Sequence, residues 1–235
     1  MSSNQVYLAA TRLIRIHASE LYGTIALSQL GTWAPGAGIP RAIQGSRDGL
    51  IPVCKVGDMN TKGNERWIND TANYIDEDTA AEIGANIHPR GTVIFPKIGG
   101  AIATNKRRIL KSPACIDNNV LGITPNRETD SGWLYHLLRG YDFTVYQRGT
   151  SVPALRQGEL EHLLVPSVPF EIQVLLGRFL DSIETSQSAS ATAGTEDQPA
   201  EFMETVRDIV WIDGLATRAD EANSEAESAV RRLDN

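Results

Sequence analysis

The sequence predicts an α+β chain, with a β-rich domain over residues 1–166 and a helical coiled-coil spacer over residues 167–235. Three observations carry this. Between Leu27 and Pro166, short apolar runs such as GLIPVCKVGDM, GTVIFPKIG, NNVLGITP and DFTVYQRG are separated by Gly, Pro, Asn and Asp. After VPSVP, apolar residues recur at the 3- and 4-residue spacing of a helix face. The charge is partitioned as well: net −2 over residues 1–89, +6 over 90–156 and −11 over 157–235, in a chain of formal charge −7.

In chain order, residues 5–22 have helical spacing (Leu13, Ile14, His17, Leu21) and predict one helix. Two further helical patches, Asp78 to Ala85 and residues 132–140, interrupt the β-rich part. Ile172, Leu176, Phe179 and Ile183 then form one stripe on a helix of about four turns. TSQSASATAGTEDQPA, residues 185–200, is small and polar throughout and reads as a flexible linker. From Phe202 through Ile209, Ile212 and Asn223 to Leu233 the 3-and-4 alternation continues as a heptad seam, with Asn223 at a position that sets register. At 1.5 Å per residue that helix is roughly 50 Å long, too long for one small domain to cover.

Composition narrows the function classes. Hydrophobic residues make up 41% of the chain, enough for a packed core. No apolar run approaches a bilayer span, and the two isolated cysteines, Cys54 and Cys115, suggest a reduced, cytoplasmic setting. The sequence has no GxxxxGK[ST] loop, no GxGxxG and no GxSxG elbow. His17, His88, His136 and His162 show no metal-ligand spacing, so neither a metal nor a cofactor is expected. No lysine has an acid two residues before it, as a common nuclease metal site requires, and the Asn/Asp-Pro-Pro-aromatic motif of adenine methyltransferases is absent. Together these absences argue for a binding protein.

The basic island is densest in VIFPKIGGAIATNKRRIL, residues 93–110, where an apolar strand meets Gly99-Gly100 and then Lys106, Arg107 and Arg108. Such a concentration in an acidic chain suggests one surface for a polyanion and another for a different partner.

Several stretches, in order, resemble the specificity subunits of type I restriction-modification systems. They are LSQLGTWAPGAGIPRA (27–42), GLIPVCKVGDMN (49–60), HPRGTVIFPKIGGAIATNKRRIL (88–110), RGTSVPALRQGELEHLLVPSVPFEIQ (148–173) and VRDIVWIDGLATRADEANSEAESAV (206–230). The resemblance implies a target-recognition domain that reads one half of a bipartite site in double-stranded DNA. It implies that Lys97, Lys106, Arg107, Arg108, Lys111, Arg148 and Arg156 meet the phosphates. Because Arg and Asn match guanine and adenine edges bidentately, Asn105, Arg107 and Arg148 are then the candidate base readers, followed by Thr104, Gln147 and Ser151. The resemblance also implies spacer helices that pack on the methyltransferase (modification) subunit, and a partner endonuclease/translocase (restriction) subunit. Gln173, Leu176, Phe179, Ile209, Ile212 and Asn223 are then the expected subunit interface. Such subunits carry two recognition domains and this chain has one, so it is a half-length subunit or a fragment. The family's usual threonine near residue 39 is Ile39, and no DNA contact carries over there. The resemblance implies no catalysis by the chain itself, and a two-fold homodimer through the C-terminal helices would supply the second domain. Two other readings stay open: the recognition half of a single-chain methyltransferase or nuclease, and a coiled-coil adaptor without a nucleic-acid role.

Overall fold

The computed structural model describes residues 3–149 and 151–190. The chain opens with α1 (Ser3–Tyr22), β1 (Thr24–Ala26), β2 (Gly31–Pro35), β3 (Ile51–Cys54), β4 (Trp67–Ile68) and β5 (Asn73–Ile75). It continues with α2 (Glu77–Glu82), β6 (Val93–Pro96), β7 (Arg108–Leu110), β8 (Cys115–Ile116), β9 (Val120–Pro125) and α3 (Ser131–Arg139). The last described elements are β10 (Gln147–Arg148), β11 (Ala154–Leu155), α4 (Gln157–Glu161), β12 (Leu164–Pro166) and α5 (Phe170–Ser190).

A five-stranded sheet in the order β2-β9-β6-β7-β4 forms the centre, with a three-stranded sheet β5-β3-β8 beside it. Alternate residues of β6 serve different cores. Val93 and Phe95 face a cluster that includes Tyr7, Trp133, Leu138 and Leu176, while Ile94 faces Cys54, Met59 and Ile116. The central strand is therefore buried on both faces, and it reads as an unbroken apolar run rather than an alternating one. A third cluster (Ile39, Val53, Ile75, Ala80, Cys115) lies between the small sheet and α2.

Helices α1, α3 and α5 pack against one another on one face of the central sheet. The buried stripe of α1 is Tyr7, Ala10, Ile14 and Ala18, rotated from the expected one, and His17 lies nearer solvent, 3.2 Å from Glu20. Asp130 caps α3 by accepting from the Trp133 N–H at 2.8 Å. Ile172, Leu176, Leu180 and Ile183 of α5 join the same cluster as α1, α3 and the sheet, so the packing is continuous across residue 166. α5 runs to Ser190, several residues into the stretch that reads as linker. The rest of that stretch and the heptad seam, with Ile209, Ile212 and Asn223, lie outside the described residues. No helix among the described residues is long and apolar enough to cross a membrane.

One run departs from its expected form. DFTVYQRG reads as a strand, yet Phe143–Tyr146 is a 3-10 helix. The Asp142 carboxylate accepts from the Thr144 N–H at 2.9 Å, turning the chain so that Phe143 enters the core.

Candidate nucleic-acid interface

Strand register decides which loops share an end of the sheet. Pro35 of β2 pairs with Leu121 of β9, Pro96 of β6 with Val120, and Ile94 with Arg108 of β7. The turns at 36–38, 97–100, 105–107 and 117–119 therefore emerge together. The parallel β3–β8 pairing brings Lys55 to the same end beside Asp117. The β10–β11 hairpin attaches there through a bridge between Ile98 and Ala154 and through the Gly99 N–H, which donates to the Pro153 carbonyl at 2.7 Å.

Two glycines make these approaches work. A Cβ on Gly36 would lie 2.0 Å from the Asp117 carbonyl oxygen, so only glycine lets the 36–38 loop lie against the 117–119 turn. Gly99 has φ +76°, where a side chain is strained, and from it a 3-10 helix, Gly99–Thr104, leads back toward β7. An open cleft of about 270 Å³ separates the turns, lined by Lys55, Gly57, Ile98, Ala101, Asp117 and Asn119.

The expected phosphate and base contacts do not all reach this surface. The side chains of Lys97 and Arg156 make no hydrogen bond or ion pair among the described residues; Lys97 is half-buried and Arg156 exposed. Lys106 donates to the Asn60 side-chain oxygen. Arg148 is exposed and paired with Glu159 at 2.9 Å. Gln147 and Ser151 lie on the same hairpin, the former half-buried and the latter exposed, and exposed Thr104 donates to the Ala101 carbonyl at 2.7 Å.

Four of the expected contacts are engaged within the fold or lie away from this end of the sheet. Arg107 is only 1% exposed, and its guanidinium lies 3.7 Å from the Phe143 ring centroid and 5.4 Å from that of Phe95. It donates to the Asn105 side-chain oxygen at 2.8 Å and to the Lys106 carbonyl at 2.9 Å. Burial, with Arg139 nearby, pushes its pKa down to about 9, which still leaves it charged at neutral pH. Asn105 sits in the left-handed region (φ 48°), and its side-chain oxygen serves Arg107 and the Phe143 N–H, so that oxygen is committed inside the fold. Arg108 is half-buried and spans to the Met59 carbonyl at 2.6 Å, with burial lowering its pKa. Lys111 leaves β7 at the other end, ~16 Å from Lys106 at ~3.3 Å per residue, and donates to Asn69 at 2.8 Å.

The expected subunit-interface residues within the described part also turn inward. Gln173 is buried, accepts from the Asp130 N–H at 2.9 Å, and donates to the Glu128 and Val168 carbonyls at 3.0 and 2.8 Å. Leu176 is buried in the core, and Phe179 packs partly against it.

Beneath the helices lies a polar network that the sequence did not reveal. Tyr7 donates to His136 Nδ1 at 2.6 Å, and His136 Nε2 donates to Asp181 at 2.6 Å. Arg66 pairs with Asp181, and Arg139 with Glu184. Burial holds the His136 pKa below its ordinary value, although Asp181 pulls the other way. His136, Asp181 and Glu184 come close enough to suggest a cation site, but the two arginines already neutralise both carboxylates. The network ties α1, α3 and α5 together.

The sequence over residues 23–196 matches the family described as Type I restriction modification DNA specificity domain. No curated protein matches the chain. Among solved structures, the HsdS subunit from Thermoanaerobacter tengcongensis is similar, at 14% identity and a TM-score of 0.55, over 88% of this chain and 51% of that one. A chain from a structure concerned with complex assembly and conformational transition of the type I R-M system is similar at 14% identity and a TM-score of 0.59, over 88% of this chain and 52% of that one. The chain thus spans about half the length of the solved chains it matches.

Proposed function

The chain belongs to the type I restriction-modification DNA specificity domain family, and from that premise we propose that it binds double-stranded DNA through the sheet end bearing Lys97, Lys106 and Arg156. It catalyses nothing itself and directs a methyltransferase subunit and an endonuclease/translocase subunit to the bound site, in the cytoplasm where the DNA lies. The observation that carries the reading is the placement, on anchored turns at one end of a sheet, of cations with no carboxylate partner among the described residues, in a chain of net charge −7. Phosphates need such cations, and a duplex groove needs turns that hold their shape.

Lys55 joins the set, since it lines the cleft between the turns. Arg148 reaches DNA by exchanging Glu159 for a phosphate, and Thr104, Gln147 and Ser151 remain on the same surface. Arg107, Asn105 and Arg108 support that surface from within. The sequence of residues 201–235 supplies the seam for a homodimer that would place two recognition domains on two half-sites.

Selection from a randomised duplex library with the full chain tests the reading. Enrichment of a defined motif supports it. Binding without enrichment, or no binding at 50 mM salt, would refute it.

A further inference from the structure

At the DNA-facing end of the sheet, the side-chain amides differ in what they have left to offer. That of Asn105 is engaged by Arg107 and the Phe143 N–H. The Asn60 amide accepts from Lys106 and donates to the Val56 carbonyl at 3.5 Å. Asn119 donates to the Asp117 carboxylate at 2.7 Å. Gln147 has no side-chain hydrogen bond among the described residues, but it is half-buried on the hairpin. Asn118 is exposed, and its amide makes no hydrogen bond among the described residues.

Its backbone, by contrast, is held from several sides. The Val120 N–H donates to the Asp117 carbonyl at 2.9 Å, closing a tight turn around residues 118 and 119. The buried Asp117 carboxylate also accepts from the Asn119 N–H at 2.9 Å. The Asp117 N–H donates to the Cys54 carbonyl at 2.9 Å, and the Lys97 N–H to the Asn119 carbonyl at 2.8 Å. Gly38 lies beside the amide without covering it: a Cβ there would be 3.9 Å from Asn118 Nδ2. Asn118 is thus a complete donor–acceptor pair on a fixed mount, among Lys55, Lys97 and the cleft. The backbone of the turn therefore loses little ordering entropy when DNA binds, and only the rotamers of one short side chain remain to be fixed.

We propose that Asn118 reads a base: its side-chain oxygen accepts from adenine N6 and its Nδ2–H donates to adenine N7 in the major groove. That geometry is the one an asparagine amide matches bidentately. The assignment rests on the DNA-binding reading above.

The test compares the full chain with its Asn118→Ala and Asn118→Ser variants in selection from a randomised duplex library, with thermal melting to verify that each is folded. The wild-type motif should contain one adenine whose preference falls roughly 5- to 150-fold in both variants, with the other positions unchanged. The salt dependence of binding should not move, because every cation that meets a phosphate is kept. Variants that enrich the wild-type motif at full strength overturn the proposal, and so does a loss confined to a G·C position. A wild-type chain that enriches no motif counts against the DNA reading itself and takes this assignment with it.

Discussion

Replacing Arg107 by Ala separates an internal pin from a DNA contact. Two well-formed hydrogen bonds from the charged guanidinium, to Asn105 and the Lys106 carbonyl, contribute about 1.5 kcal/mol each. Its seat on the Phe143 ring at 3.7 Å, away from water, adds about 2 kcal/mol. Against this, Arg107 Nε is buried without a partner among the described residues, and its removal returns about 2 kcal/mol. The net expected loss is about 3 kcal/mol. With a urea slope of about 2 kcal/mol/M, the unfolding midpoint should fall by about 1.5 M. Arg107→Lys should lose most of the same stability, since an ammonium cannot reproduce the planar fork over the ring. Equilibrium urea denaturation followed by circular dichroism reads the midpoint. A midpoint within about 0.3 M of wild type, together with weakened DNA binding, would refute the internal role and return Arg107 to the surface.

Further outcomes follow from the same side chains and their neighbours. Gln173→Ala should cost about 2–3 kcal/mol in thermal or urea denaturation, because it leaves the Asp130 N–H and two carbonyls without their partner in the buried join between α3 and α5. Stability should fall as pH drops below about 6.5: His136 has a lowered pKa when folded, so the unfolded chain takes up the proton first. His136→Gln keeps an amide donor and acceptor without a titrating ring, and urea midpoints at pH 7.5 and 5.5 should then differ less than in wild type. The full chain should be dimeric by light scattering, and deletion of residues 201–235 should leave a folded monomer; a full chain that stays monomeric at high micromolar concentration would remove the self-dimer.

How much was legible in the sequence depended on whether the signal was local. The VIF run marked a strand because both its faces are buried, and Ile172, Leu176 and Ile183 marked a helix with one buried face. That stripe did not say what it would bury against, and the α5 residues expected to meet a partner pack on α1, α3 and the sheet. The Lys106-Arg107-Arg108 triplet read as surface charge because its residues were taken together. Strand periodicity held the correction: Arg107 lies two residues before Ile109, which faces the helical core, whereas Lys106 and Arg108 alternate with it. Lys55 and Asn118 carried no pattern of their own, since only strand pairing brings β3 and β8 to the same end. The network around His136 was equally invisible, because its members come from α1, α3, α5 and the approach to β4.

The central claim is that one end of the sheet neutralises DNA phosphates. Its most direct test is the salt dependence of duplex binding by the full chain, measured by fluorescence anisotropy for wild type, a Lys97→Ala/Lys106→Ala/Arg156→Ala variant and Lys111→Ala. Each phosphate left without its cation should reduce the log–log slope by about 0.9, so the triple variant should flatten it by about 2.7 while Lys111→Ala leaves it nearly unchanged. A triple variant with the wild-type slope, or a Lys111→Ala slope that falls as far, would place the DNA elsewhere on the protein.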